Sequence, residues 1–355
     1  MKNINSVIHQ YLSGITLCSS IAGVSLLTAK INLLQSHAIG ALTLAILFGI
    51  LAGNTFYPKI AENCAHGVLF SKQRLLQLGI IFYGFRLTFG DIAHVGLQGA
   101  VIDALVLTST FAIAWFVGRK VLKLDANTVI LIGAGSSICG AAAVMATEPV
   151  VKGRAEQVSI AVSTVLVFGT ISMLLYPALF QWNLSWHFLP TSAEAFGIFT
   201  GSTVHEVAQV VAAAKPLGDS ATNTAVITKM VRVMMLAPFL VALSIYVAKN
   251  KSTEHSAVAP KSKITIPWFA LIFVLVAGLN SLNIIPKNVI ASAINLDTLF
   301  LAMAMAALGL CTHFSAIKKA GLKPLLLGAL LFSWLIVGGM LINSSVMNLL
   351  TRVLL

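Results

Sequence analysis

The chain reads as an all-α, polytopic membrane protein with about 9–11 transmembrane segments, inverted repeats and two broken or re-entrant helices. Three observations predict this. Of its 355 residues 58% are hydrophobic and only 10% charged, with a mean hydropathy of +0.93, whereas a soluble globule carries about 25% charge. Long stretches, such as Ile31 to Pro58 and Pro324 to Thr351, hold no Asp, Glu, Lys or Arg and exceed the roughly 20 apolar residues that cross a bilayer. Two apolar stretches are too rich in glycine and hydroxyl residues for ordinary spanning helices: Leu131 to Pro149 and Gly197 to Ala214.

Taken in order, hydrophobic segments fall at about 11–29, 38–56, 75–90, 97–118, 127–148, 157–180, 195–214, 221–248, 264–284, 288–312 and 324–349. They form a single transmembrane transporter domain over 1–355. Residues 57–74 mix Lys59, Glu62, Lys72 and Arg74 with apolar side chains and predict an amphipathic helix in the interface. Tyr11 to Ala29 is too long for a signal-peptide core and is expected to be the first span. The net charge of +12 would suggest nucleic acid in a soluble protein, but the basic residues gather in short connections between apolar runs, where they set orientation. The pattern places the N-terminus inside and the C-terminus outside. Lys152 and Arg154 fit it only if segment 127–148 turns back, so the re-entrant arrangement is favoured. Cys18, Cys64, Cys139 and Cys311 show no metal or redox spacing.

The two glycine-rich stretches match. An offset of 66 residues (201 − 135) lays Gly135-Ser136 on Gly201-Ser202, and Ala142, Val144 and Ala146 on Ala208, Val210 and Ala212. Each stretch with its following helix makes a paired broken-helix repeat, 127–180 and 195–248. A second offset of 225 (314 − 89) lays Gly84, Phe89, Ile92, Gly96, Leu97 and Leu105 on Gly309, Phe314, Ile317, Gly321, Leu322 and Leu330. Duplications of this kind are common in secondary transporters.

Gly135-Ser136-Ser137 and Gly201-Ser202-Thr203 are the candidate substrate-binding bends. Glycine permits the bend and Ser or Thr caps a new helix, whose unpaired N–H groups would face an anion; the alternative is that these small residues only let helices pack closely. His205 and Glu206, with Gln209 one turn on, are the candidate proton-coupling group. Lys229 and Arg232 share a helical face and could serve an anion, pair with Glu206, Glu148 or Asp297, or snorkel to the surface. Arg86 and Asp297 are weaker candidates, and Asp103 is placed near an interface. HEVAQ lacks the second histidine of a zinc protease, and neither GxSxG nor an ATP-binding loop is present. No catalytic residue, metal site or cofactor is therefore expected. The competing readings are a membrane-embedded enzyme using His205, Glu206 and Cys139, and a passive anion channel.

GAGSSICGAAAVMA, GSTVHEVAQVVAAA, TKMVRVMMLAPFL and GLCTHFSAIKKAGLKPLLLG together resemble the signature regions of the YeiH-type family of bacterial inner-membrane proteins, a family named for sulfate export. The resemblance runs from about residue 40 to the C-terminus. It implies a multi-pass inner-membrane transporter in which broken helices of inverted repeats form the site, moving sulfate or a related sulfur oxyanion out of the cell. The expected partners are this small anion and the lipid bilayer, with no nucleic acid; the sequence is compatible with a homo-oligomer.

Overall fold

A computed structural model describes residues 4–30, 41–187, 189, 191–251, 268–312 and 321–354. Among these every regular element is helical. The α-helices are α1 (Ile4–Thr28), α2 (Ala41–Asn54), α3 (Tyr57–Phe70), α4 (Leu76–Tyr83), α5 (Phe89–Phe116), α6 (Ala126–Ser137), α7 (Ala141–Val151), α8 (Ala155–Trp186), α9 (Ala193–Thr203), α10 (Val207–Ala214), α11 (Asp219–Met234), α12 (Leu236–Lys251), α13 (Trp268–Ser281), α14 (Lys287–Leu310) and α15 (Leu322–Leu354). Among the described residues six stretches are long and apolar enough to cross a membrane: α1, α5, α8, α11 with α12, α14 and α15. Ala41–Asn54, Ala141–Val151, Val207–Leu217 and Leu271–Ser281 are shorter apolar helices.

The chain divides into two compact units. One contains α1 to α4, the start of α5, Val211–Asp219 with the end of α10, α13 and α14. Its helices approach to backbone contact at glycines: a Cβ on Gly14 would lie 2.2 Å from the Cys64 carbonyl oxygen, and one on Gly49 would lie 2.4 Å from that of Ala306. Small residues allow such approach where lipid supplies no hydrophobic drive to association. Residues 57–74 are helical as expected but do not form a separate element. Their one proline, Pro58, sits in the first turn of α3, where a helix tolerates it, and a wider turn at Ser71–Leu75 carries α3 directly into α4. In this unit Arg86 Nε donates to Asp297 Oδ2 at 2.8 Å, and its Nη2 donates to Thr298 Oγ1 at 3.0 Å.

The other unit contains most of α5, then α6 to α9, α11, α12 and α15, and it is organised by two broken segments. Asp125 caps α6 by accepting the Thr128 N–H at 3.0 Å. The helix ends when Ile138 leaves helical geometry (φ −123°, ψ −85°), and Gly140 turns the chain at φ +69°, a conformation open to glycine. α7 then runs back. Its return is fixed by Gln157, whose Nε2 donates to Asp125 Oδ1 at 2.6 Å while its Oε1 accepts the Arg154 N–H at 2.8 Å. The start of α6 and the start of α8 are thus tied together, and 125–157 is a helical hairpin.

The second segment repeats the plan. Ser192 caps α9 by accepting the Ala195 N–H at 3.1 Å, and the helix ends at Val204 (φ −69°, ψ 145°). Ser220, at the start of α11, donates to Glu194 Oε1 at 3.1 Å, so the start of α11 again lies beside the start of the hairpin's first arm. α8 links the two hairpins. Val165 packs beside Gly135 on α6, and further along Tyr176 and Phe180 meet Phe199 and Phe196 on α9 at ring-centroid distances of 5.1 Å. Because α8 runs with α6 and against α9, the hairpins start from opposite ends of the unit and their tips meet midway.

Of the residues paired at offset 225, only some fall within the described residues. Gly96 and Gly321 both have positive φ, +30° and +81°, whereas Phe314 and Ile317 lie outside the described residues.

Candidate functional site

The site lies where the two tips meet. Each first arm ends in carbonyl groups without intrahelical partners, and these carry the partial negative charge of a helix C-terminus. Two such ends brought together inside a protein need compensation. Lys229 and Arg232 on α11 supply it: Lys229 Nζ donates to Ile138 O at 2.8 Å and to Val204 O at 2.6 Å. Arg232 Nε donates to Ser137 O at 2.8 Å and its Nη2 to Ser136 O at 3.0 Å. Both side chains are 0% exposed, so neither snorkels. Neither pairs with Asp297, which is engaged by Arg86 in the other unit, nor with Glu148, which lies at the far end of α7 from the tip.

The bends do not fall where the glycine-hydroxyl motifs suggest. Gly135, Ser136 and Ser137 form the last turn of α6, and Gly201, Ser202 and Thr203 the last turn of α9. The breaks lie three residues later, at 138–140 and 204–206. The glycines are used for packing: a Cβ on Gly201 would lie 2.3 Å from the Ala225 carbonyl oxygen, and one on Gly135 would lie 2.8 Å from both Val144 and Val165. What the serines at 136 and 137 offer Arg232 is their carbonyl oxygens. Ser202 Oγ donates to Phe199 O at 3.1 Å and accepts from Asn343 Nδ2 at 3.2 Å. Thr203 Oγ1 accepts the Tyr176 hydroxyl at 2.7 Å.

The new helices begin at Ala141 and Val207, and the groups at 205–209 serve them. Glu206 reaches across to the other hairpin, where its Oε1 accepts the Ala141 N–H at 3.3 Å, a favourable place for a carboxylate. Gln209 Oε1 accepts the Glu206 N–H at 3.1 Å. His205 is buried, and its Nδ1 has no hydrogen-bond partner. Gln209 Nε2 and Arg232 Nη1 are also buried without partners. Cys139 is buried at the first break.

Asp103 was expected near an interface, but it is wholly buried and neither carboxylate oxygen has a hydrogen-bond partner. The charges acting on it are those of Arg232 and Lys229. A single Asp between apolar residues gives no sign in sequence of which cation it will face; only the distant Lys229/Arg232 pair hinted that a buried carboxylate was needed.

The family described as Conserved hypothetical protein 698 matches residues 13–328. A UPF0324 membrane protein of Pseudomonas aeruginosa is 59% identical over 334 residues, covering 94% of this chain and 93% of its own. The UPF0324 inner membrane protein YeiH of Escherichia coli K12 is 54% identical over 343 residues, 97% of this chain and 96% of its own, and a UPF0324 membrane protein of Yersinia pestis is 55% identical over 344 residues, 97% and 95%. No solved structure matches. Six membrane-capable helices, two broken hairpins and these near full-length matches lead to one assignment: the chain belongs to the UPF0324, YeiH-type family and is a multi-pass protein of the bacterial inner membrane.

Proposed function

We propose that the protein is a secondary active transporter that exports a small anion, sulfate or a related sulfur oxyanion, at the expense of a proton or other ion gradient, and performs no chemistry on it. The observation that carries this reading is the meeting of two hairpin tips, started from opposite ends and held by Lys229 and Arg232. The shared plan of 125–157 and 192–220, with the 66-residue offset, supports an inverted repeat, the arrangement that lets a central site open to each side in turn. Interrupted helices at membrane depth are tolerated where they are buried in protein or line a path, and buried charge in such a place marks a route for ions.

In this reading the anion binds at the tips, beside the last turns that hold Ser136, Ser137, Ser202 and Thr203. Arg232 Nη1 and Gln209 Nε2 are N–H groups there without a hydrogen-bond partner among the described residues. The test is uptake of radiolabelled sulfate or thiosulfate by liposomes containing the purified protein. Saturable uptake accelerated by unlabelled anion inside supports the transporter. Flux that neither saturates nor shows counterflow would favour a channel, and a chemically altered substrate would favour the enzyme built on His205, Glu206 and Cys139.

A further inference from the structure

Two contacts set the register of α5 against α11. A Cβ on Gly99 would lie 3.8 Å from Thr228 Oγ1, and the Phe111 and Phe239 rings meet at 5.0 Å at the start of α12. The partners are separated by 129 and 128 positions (228 − 99 and 239 − 111), so the helices run parallel and Asp103, one turn after Gly99, falls opposite Arg232. Around it Ile102 and Val106 pack with Ala195 and Ile198 of α9 and with Leu335, Val346 and Met347 of α15. These neighbours are apolar. The charged groups acting on Asp103 are therefore Arg232 and Lys229, both from α11. Arg232 spends Nε and Nη2 on the first tip and keeps Nη1 without a hydrogen-bond partner.

We infer that Asp103 is the proton carrier of the transport cycle, and that its protonation leaves the charge of Arg232 to be met by the anion, so that proton and anion bind together. The inference rests on the transporter reading above. Four ionisable groups with formal charge are buried here: Lys229, Arg232, Glu206 and Asp103. Their charges cancel when Asp103 is ionised. A proton placed on an Asp103 carboxylate oxygen leaves one positive charge over, which offsets one of the two negative charges of a sulfate or thiosulfate dianion accepting from Arg232 Nη1, whereas with Asp103 ionised both would stand uncompensated. An uncompensated buried charge is costly, so each ligand favours the other. His205 and Glu206 are less suited to this task. Glu206 is engaged at Ala141, and a proton on His205 would create a charge beside Lys229 and Arg232, whereas a proton on Asp103 removes one.

The experiment measures binding of sulfate and of thiosulfate, whose own charges do not change in the range used, to purified wild type, Asp103→Asn, Asp103→Glu and His205→Ala. Affinity is followed by calorimetry over about pH 5.5 to 8.5, with proton uptake read by a dye in weak buffer; wild-type affinity is expected to fall about tenfold per pH unit on the alkaline side. One proton should enter with each anion. Asp103→Asn should bind with an affinity flat in pH and take up none, while Asp103→Glu and His205→Ala keep the slope. An Asp103→Asn profile like wild type overturns the inference. If that variant does not fold, the wild type decides, because binding that is independent of pH and takes up no proton overturns it equally. Wild type that binds neither anion at any pH overturns the sulfur-oxyanion reading, and this inference falls with it.

Discussion

Ile138 and Val204, 66 positions apart, give their carbonyl oxygens to one ammonium group: Lys229 Nζ stands 2.8 Å from the first and 2.6 Å from the second. The two residues occupy the same place in the two hairpins, each being the first beyond its outgoing helix. One side chain thus holds corresponding atoms of both hairpins.

Replacing Lys229 by Met should therefore do more than remove a charge. It leaves two helix ends unpaired inside the protein, and removal of one partner from a buried charged contact costs about 3–5 kcal/mol. Thermal unfolding in detergent should show a large loss of stability for Lys229→Met and almost none for Lys59→Met, which removes an exposed lysine from α3. Equal effects would mean that the carbonyls find other donors.

Gly140 and Glu206 are also equivalent positions, and they touch: a Cβ on Gly140 would lie 2.5 Å from Glu206 Cγ. Gly140→Ala should destabilise by the cost of its positive φ, about 1–2 kcal/mol, and displace the Glu206 carboxylate from Ala141 as well. Gly218→Ala has the same kind of backbone penalty, at φ +109°, but meets nothing within 4 Å. Of the two, Gly140→Ala is expected to unfold at the lower temperature; the reverse order would remove Glu206 from the account.

Gly201 should behave as a packing residue. The added methyl of Gly201→Ala meets the Ala225 backbone at 2.3 Å, which only a shift of α9 from α11 can relieve, so both folding yield and melting temperature should drop. Gly23→Ala, in α1 with nothing within 4 Å, should be neutral or stabilising by about 0.5–1 kcal/mol. A Gly201→Ala protein as stable as wild type would contradict the close approach of α9 and α11.

The first hairpin predicts a labelling pattern. Single cysteines at Leu124 and Gly153, in a background without Cys18, Cys64, Cys139 and Cys311, should react with an impermeant thiol reagent from the same side of the membrane. A cysteine at Trp186, at the other end of α8, should react from the opposite side. Leu124 and Gly153 labelled from different sides would turn the hairpin into a crossing.

Sequence carried the outline of this architecture further than its centre. The uncharged runs and the two glycine-serine stretches reveal helices and two interruptions. The misplaced basic pair Lys152/Arg154 points to a hairpin, as found. The breaks themselves were misplaced by three residues, because glycine followed by hydroxyl residues suits a bend and a tight helix contact equally well, and the choice depends on α11 lying against Gly197 and Gly201. Arg86 and Asp297 each stood out as charges within apolar sequence, but their pairing spans 211 positions. Asp103 was undervalued for the same reason: its apolar cage and its facing cation come from other parts of the chain.

Lys229 lies 91 positions after Ile138 and 25 after Val204, and this order has a consequence for biogenesis. While the ribosome is still making the segments before α11, the carbonyl ends of both tips lack their cation, and lipid offers no substitute. The first hairpin must wait, in the translocon or at the bilayer surface, until the segment carrying Lys229 and Arg232 emerges. A nascent chain arrested before residue 229 should leave that hairpin accessible to protease from the side on which it starts, and extension past Arg232 should close it off.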